Sequence, residues 1–181
     1  FRNLWDLAKY VPPERIQAEF LNNARNGDKY ADDDELAPKN VPFDTALAMT
    51  LAAQPLAWFE GTGLVRNAQF DTAKRVLEIY SGFSQAFHAG VVLPIGEEPG
   101  GRSVSGFQSL DDEGRGWIIL VREATAEPEA NVRVHASPGT TLTLVSLLDS
   151  SESIKRTVDR DGCLRLSLPG QWTYGIWRVE R

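Results

Sequence analysis

Metal-binding, redox and covalent chemistry draw on residues that this chain barely contains: in 181 residues it has one cysteine, two histidines and one methionine. A lone Cys163 excludes an internal disulfide framework and any site built from several cysteines. It alternates with Leu164 and Leu166 as residues of a strand do, so a packed or edge thiol is expected. His88 and His135 stand far apart in sequence, and neither a metal site nor a catalytic triad is expected from them. No apolar run approaches the roughly 20 residues that cross a bilayer, and the opening Phe1-Arg-Asn-Leu-Trp-Asp6 lacks the parts of a secretory signal. The charge balance is 19 Lys and Arg against 25 Asp and Glu, a formal net of −6. The basic residues are scattered, whereas phosphate binding needs them clustered. Neither nucleic acid nor a membrane is therefore an expected partner.

What is present is ordinary in amount and informative in order. An apolar content of 42% is enough to build a sizeable core. The first residues read as amphipathic helix, with Leu4, Trp5, Leu7 and Ala8 on one side; because the chain opens at Phe1 already inside that helix, it reads as a piece of a longer protein. Val11-Pro-Pro13 breaks the pattern, and Ile16, Ala18 and Phe20 then alternate with Gln17, Glu19 and Leu21 in a strand. A polar loop follows from Asn22 to about Pro42. Phe43 to Ala53 favours helix, with Asp44 near its start to suit the helix dipole. Leu56 to Phe59 is a short apolar run that suits a strand covered on both faces. From about Ala68 to His88 the residues Phe70, Ala73, Val76, Leu77, Tyr80, Phe83 and Phe87 recur at steps of three and four, as one face of a long helix.

Beyond Gly90 the period changes. Val91–Ile95, Val104–Leu110, Trp117–Arg122, Val132–Ala136, Leu142–Leu148, Ile154–Val158, Leu164–Leu168 and Tyr174–Val179 are short β-rich runs separated by Gly, Pro, Asp and Ser clusters. The expected fold is α/β followed by all-β: residues 1–90 as the last β/α units of a TIM-like barrel, and residues 91–181 as an antiparallel β-sandwich.

The candidate site lies where the two early strands end. Barrel enzymes hold substrate at the carboxyl ends of their strands. The first strand runs into Glu19, Asn22, Asn23, Arg25 and Asn26; the second into Trp58 and Glu60. Amide and guanidinium donors suit sugar hydroxyls, which need paired hydrogen bonds in a partly dry cleft, although Asn also bonds its own backbone in turns. Trp58 offers a flat apolar face for a sugar ring, or simply core. Glu19 and Glu60 stand on strands expected about 4.8 Å apart, within the range that glycoside-cleaving carboxylates use. Asp32-Asp-Asp-Glu35 lacks the ligand spacing of a calcium loop and reads as solvated loop or helix cap. Gly101-Arg-Ser-Val-Ser-Gly106 has no nucleophile-elbow register, and Gly61-Thr-Gly63 has Arg66 where a dinucleotide fingerprint needs its third glycine.

These segments together resemble the carboxyl-terminal part of melibiase-type glycoside hydrolases, the α-galactosidases. The likeness rests on Glu14-Arg-Ile-Gln17 with Glu19-Phe-Leu-Asn-Asn23, on Ala53-Gln-Pro-Leu-Ala-Trp58, and on Ile79-Tyr80 to Gly90. Leu93-Pro-Ile-Gly96 and Gly106-Phe-Gln-Ser109 continue it into the β-rich half. The resemblance implies a (β/α)8 barrel backed by an antiparallel β-domain, with Glu19, Asn22, Asn23, Arg25, Trp58 and Glu60 lining a sugar site. It also implies a carbohydrate substrate, upstream barrel strands of the parent chain as structural partners, and no cofactor or metal. The nucleophile and acid/base of such enzymes stand on earlier strands, so no catalytic residue is assigned and the piece is expected to be inactive alone. The alternative is a non-catalytic carbohydrate-binding or packing module.

Overall fold

A computed structural model describes residues 1–18, 27–55, 67–149 and 152–180. Helix α1 (Arg2–Leu7) leads through a 3-10 turn at Pro13–Arg15 to the two-residue strand β1 (Gln17–Ala18). Further 3-10 turns stand at Gly27–Lys29 and Pro38–Asn40, and helix α2 (Phe43–Ala48) precedes strand β2 (Gln54–Pro55). Helices α3 (Asn67–Ser81) and α4 (Ser84–Ala89) complete the first half. Eight strands follow: β3 (Val91–Gly96), β4 (Val104–Leu110), β5 (Gly116–Arg122), β6 (Glu129–Arg133), β7 (Thr141–Ser146), β8 (Ser153–Thr157), β9 (Cys163–Ser167) and β10 (Thr173–Glu180).

Six of these strands form one antiparallel sheet in the order β3-β4-β5-β10-β7-β8, and β6 pairs with β9 in a second. Alternation along each strand sends side chains to opposite faces, and both faces of the central strands β4, β5 and β10 are largely buried. One face carries Ile95, Val104, Ile118, Leu120, Leu142, Leu144, Trp177 and Val179 against Val132, Leu164 and Leu166 of the small sheet, which makes the sandwich. The other face carries Val92, Phe107, Ile119 and Ile176 against Leu4, Trp5, Leu47, Leu51, Val76 and Phe87 of the helical half. Phe107, Ile119 and Ile176 are aligned across three strands by register, so they form one continuous ridge on which the helices sit. The core therefore runs across the change of secondary structure at residue 90.

Turn chemistry sets where the strands stop. Asp111-Asp-Glu-Gly-Arg115 and Asp159-Arg-Asp-Gly-Cys163 are the same device used twice. In each the Asp Oδ1 accepts the backbone N–H groups two and four residues on, at 2.9 and 2.8 Å, and the glycine takes a left-handed φ of +72° or +80°. An Asp that bonds its own turn and a glycine free of a Cβ are the two requirements of such a loop. On β10, a Cβ at Gly175 would run into the Trp177 indole two residues on.

Several expectations need correction. The long helix over 68–88 is two helices, because the chain turns at Gly82 and Phe83 before α4 begins. Its apolar stripe is also only partly inward: Ala73, Val76, Phe83 and Phe87 are buried, while Phe70 and Leu77 are 44% and 37% exposed. On α1, Leu4, Trp5 and Ala8 are buried but Leu7 is not. Helix α2 stops at Ala48, and Met49–Ala53 continue as buried turns rather than helix. Strand β6 lies three residues earlier than its apolar pattern suggests, since Val134 bonds Gly162 O instead of continuing the ladder. The segment from Asn22 to Pro42 is not uniformly solvated where it is described: Ala37 and Val41 are buried.

Two substitutions test this construction by urea unfolding. Phe107→Ala removes the ridge's largest side chain and is expected to cost about 3–5 kcal/mol. Gly162→Ala, at a position with no neighbour for a new methyl group, is expected to cost only about 1 kcal/mol, the penalty for a left-handed alanine.

Candidate functional site

Strands β1 and β2 pair side by side and in the same direction, Gln17 opposite Gln54 and Ala18 opposite Pro55; the strand expected at Leu56–Phe59 lies outside the described residues. The sequence immediately before each strand explains why. Pro12 and Pro13 remove two backbone donors and preset the turn at Pro13–Arg15, whose backbone is closed by Arg15 N to Pro12 O and Ile16 N to Pro13 O, both 2.9 Å. Gln54 then bridges: its N–H donates to Ile16 O at 3.0 Å and its side-chain amide donates to Glu14 O at 2.8 Å. Behind the pair, Ile16 and Ala18 pack against the core that holds Leu47, Ala48, Leu51 and Ala52. Parallel pairing needs a crossover between its strands, and α2 lies in this one.

Glu19, Asn22, Asn23 and Arg25 follow Ala18 in sequence, and Trp58 and Glu60 follow Pro55; all six lie outside the described residues. What the structure brings together is the pair of backbone positions from which the chain leads into them. Among the described residues no group of three or more His, Cys, Asp and Glu side chains is placed to hold a metal ion, and in the acidic run Asp34 and Glu35 are engaged within the fold. Asp34 Oδ1 accepts Leu36 N at 2.9 Å, its carbonyl accepts Asn40 Nδ2 at 2.8 Å, and Glu35 pairs with Arg102 at 2.7 Å. These carboxylates build a turn and a surface ion pair.

A cavity of about 670 Å³ lies beside β1, walled by Ile16, Gln17, Ala18, Thr50, Glu123 and Trp172 among others. Its buried carboxylate, Glu123, belongs to the sandwich half and was not visible in the strand pattern. Glu123 is 95% removed from solvent, and one of its oxygens, Oε2, accepts four donors: Gly100 N at 3.1 Å, Gly101 N at 2.7 Å, Ser103 N at 3.1 Å and Ser103 Oγ at 2.7 Å. A buried carboxylate is tolerable when converging donors replace its water. Its neighbour Arg122, also buried, donates to Leu168 O at 2.6 Å, Thr125 O at 2.9 Å and Ala126 O at 3.1 Å. Trp172 sits at a left-handed φ of 52° with its carbonyl held by the Thr45 hydroxyl at 2.6 Å. Tyr174, beside it in the same cluster, hydrogen-bonds Asp44. Burial first, and then the Asp44 carboxylate, push the Tyr174 hydroxyl well above its usual range. The sequence signal for this cluster is thin: an Arg-Glu pair directly after the apolar run Trp117–Val121 reads as a solvated strand end, although the run itself is buried.

Glu123 Oε2 and the Trp172 carbonyl are therefore taken up by the fold, while Arg122 Nε is buried without a hydrogen-bond partner; together these groups brace the β3–β4 loop, β5 and α2. The geometry can now be compared with known proteins. The sequence matches no protein-family model and no curated protein. The fold resembles part of a galactosidase domain. The similar structure is the galactosidase domain of alpha-galactosidase-sucrose kinase, AgaSK, with a TM-score of 0.59 over 98% of this chain and 10% sequence identity. At that identity the likeness is one of fold. The chain spans 24% of the length of that AgaSK chain.

Glu123→Ala would leave three backbone N–H groups and a hydroxyl without their acceptor. It is expected to destabilise the chain by roughly 3 kcal/mol or more in chemical denaturation, with proteolytic cutting appearing first near residues 97–103. Glu35→Ala, which loses only an exposed pair, is expected to change stability by under about 1 kcal/mol.

Proposed function

We propose that the chain is the carboxyl-terminal part of a glycoside hydrolase acting on α-linked hexosides, α-galactosidase-like in plan. In this reading residues 1–90 are the last β/α units of a barrel and residues 91–181 its β-domain. The observation that carries it is the parallel pairing of β1 with β2, set in the order strand, helix, strand, helix and backed by an antiparallel sandwich. The AgaSK likeness supports the same plan over nearly the whole chain. Glu19, Asn22, Asn23, Arg25, Trp58 and Glu60 are assigned to the substrate walls, because each follows the end of one of two adjacent parallel strands. The nucleophile and the acid/base belong to segments outside this sequence.

Exposed apolar residues mark where the remainder of such a barrel packs. At one flank Leu7, Tyr10 and Val11 are 48%, 85% and 38% exposed at the end of α1; at the other Phe70 and Leu77 stand out from α3. A shallow groove on α3 runs along Phe70, Ala73 and Leu77 between Lys74 and Glu78, a spacing that suits a second helix laid across it. Upstream barrel segments of the parent chain are the assigned occupants, and a carbohydrate is the substrate.

A second reading, a structural packing module without a sugar site of its own, draws on the shared core. The central strands of the large sheet are covered on one face by the helical half and on the other by β6 and β9, so among the described residues these strands offer no open platform for a sugar. This role is compatible with the first if the β-domain serves to brace the barrel.

The test is kinetic and uses the parent protein. Aryl α-galactosides are expected to be hydrolysed, and Glu19→Gln to lower kcat/KM by roughly 10- to 150-fold, the range for losing a hydrogen bond to a charged group. An unchanged kcat/KM would remove Glu19 from the site. The isolated 181-residue chain is expected to show no turnover and to self-associate in sedimentation through its two open flanks; full activity by that piece alone would overturn the assignment of the nucleophile to another segment.

A further inference from the structure

The joint between the helical half and the sandwich contains a polar pair that the proposed hydrolase does not use. Helix α3 ends at Ser81, the chain turns at Gly82, and α4 runs from Ser84 to Ala89 into β3. Helix α4 is fastened to the sheet at its far end: Ser109 Oγ on β4 donates to Phe87 O at 2.6 Å, and Gly90 lies so close to Ser109 and Leu110 that a Cβ there has no room. Its link back to α3 is the contact between Tyr80 Oη and His88 Nε2, 2.6 Å long. The two rings meet edge to face, within a cluster completed by Phe83, Phe87 and the Trp117 indole stacked on Phe83.

The other imidazole nitrogen decides what this contact requires. His88 Nδ1 is buried and has no hydrogen-bond partner. An N–H there would be a buried donor without an acceptor, which costs more than a bare lone pair. The neutral ring with its proton on Nε2, donating to the Tyr80 oxygen, is the one form that avoids it. Taking up a second proton from solvent places it on Nδ1 and adds a charge inside an aromatic cluster.

We infer that the Tyr80–His88 pair is a proton-sensitive latch at this joint, closed while His88 is neutral and released when the ring becomes imidazolium. Among the described residues, the groups that face it support this. The strands under α4 contribute Val92, Phe107, Ser109 and Trp117, none of them charged. Tyr80 is held in its neutral form, its hydroxyl pushed up to about 12 by burial. Glu14, in the turn before β1, is the one carboxylate that acts on His88, and it opposes release; burial is the larger influence and holds the ring below the ordinary value of 6.5. The sign follows from linkage: with the folded value depressed, the latch contributes in full above pH 6.5 and is lost progressively as pH falls below it.

The experiment is an NMR titration of the unmodified 181-residue chain, in which His88 is one of only two histidines. The expected result is a neutral ring protonated on Nε2, a midpoint below 6.5, and protection factors of α4 amides that fall between pH 7.5 and 5.5, by about fivefold for a midpoint one unit down and by about tenfold at most over this interval. In His88→Gln, which keeps a neutral group within reach of Tyr80, α4 protection is expected to be unchanged over that interval. A midpoint at or above 6.5, a proton resting on Nδ1, or α4 protection that ignores pH in the wild-type chain would each overturn the inference. None of these outcomes depends on whether the parent protein cleaves a glycoside.

Discussion

One sheet serves two cores. Strands β4, β5 and β10 turn Ile118, Leu120 and Trp177 toward the sandwich and Phe107, Ile119 and Ile176 toward the helices. That double duty explains the composition of β5, Trp117-Ile-Ile-Leu-Val121, which is apolar on both sides in the manner of a strand with no solvent face. It also explains the device at its end. A strand buried on both faces must finish somewhere inside the molecule, and its flanking loops bring backbone donors and acceptors with them that need partners. Arg122 collects three carbonyls and Glu123 collects three N–H groups and a hydroxyl. Two opposite charges, adjacent in sequence and each bonded to neutral groups rather than to the other, close the sheet's most buried strand.

The same sheet positions the region from which function is proposed. Trp5 donates its indole N–H to Ile95 O at 3.0 Å, Thr45 holds Trp172, and Asp44 holds Tyr174. Through these contacts α1 and α2 are set against the sandwich, and the pair β1–β2 is set against α2. Two strands of two residues each would not persist in isolation; here they form because proline-directed turns and the Gln54 bridge fix their ends. The sandwich is in this way part of what aims the two strands.

The second half was the more legible in sequence, for a physical reason. Its eight strands are short β-rich runs separated by turns of Gly, Pro, Asp and Ser, and the Asp-x-x-Gly loops stop strands at fixed residues. Where a boundary slipped, at β6, the apolar residues Val132 and Val134 continue past the last ladder pair, so burial outlasts pairing. The helical half was harder to read because its stripes are shared out. Phe83 and Phe87 keep the helical spacing across the turn at Gly82, which hid the break, and Phe70 and Leu77 satisfy the periodicity of a buried face without being buried. Of the candidate site, the strand-helix order pointed to a parallel pair; the pair described is Gln17–Ala18 with Gln54–Pro55, and the strand expected at Leu56–Phe59 lies outside the described residues. Glu123 and the Tyr80–His88 pair were not, since nothing in a one-dimensional pattern marks a carboxylate whose donors come from a loop twenty residues away, or a histidine whose second nitrogen lacks a partner.

If the ridge on the large sheet is what unites the chain, helices and sandwich must open together. Native-state hydrogen exchange followed by mass spectrometry measures this directly, with peptides from α2 and α3 compared with peptides from β4, β5 and β10. The account predicts a common opening free energy for both sets, lowered equally by Ile119→Ala. Helical peptides that open at a much lower free energy than the sheet, and that ignore the Ile119 substitution, would contradict it.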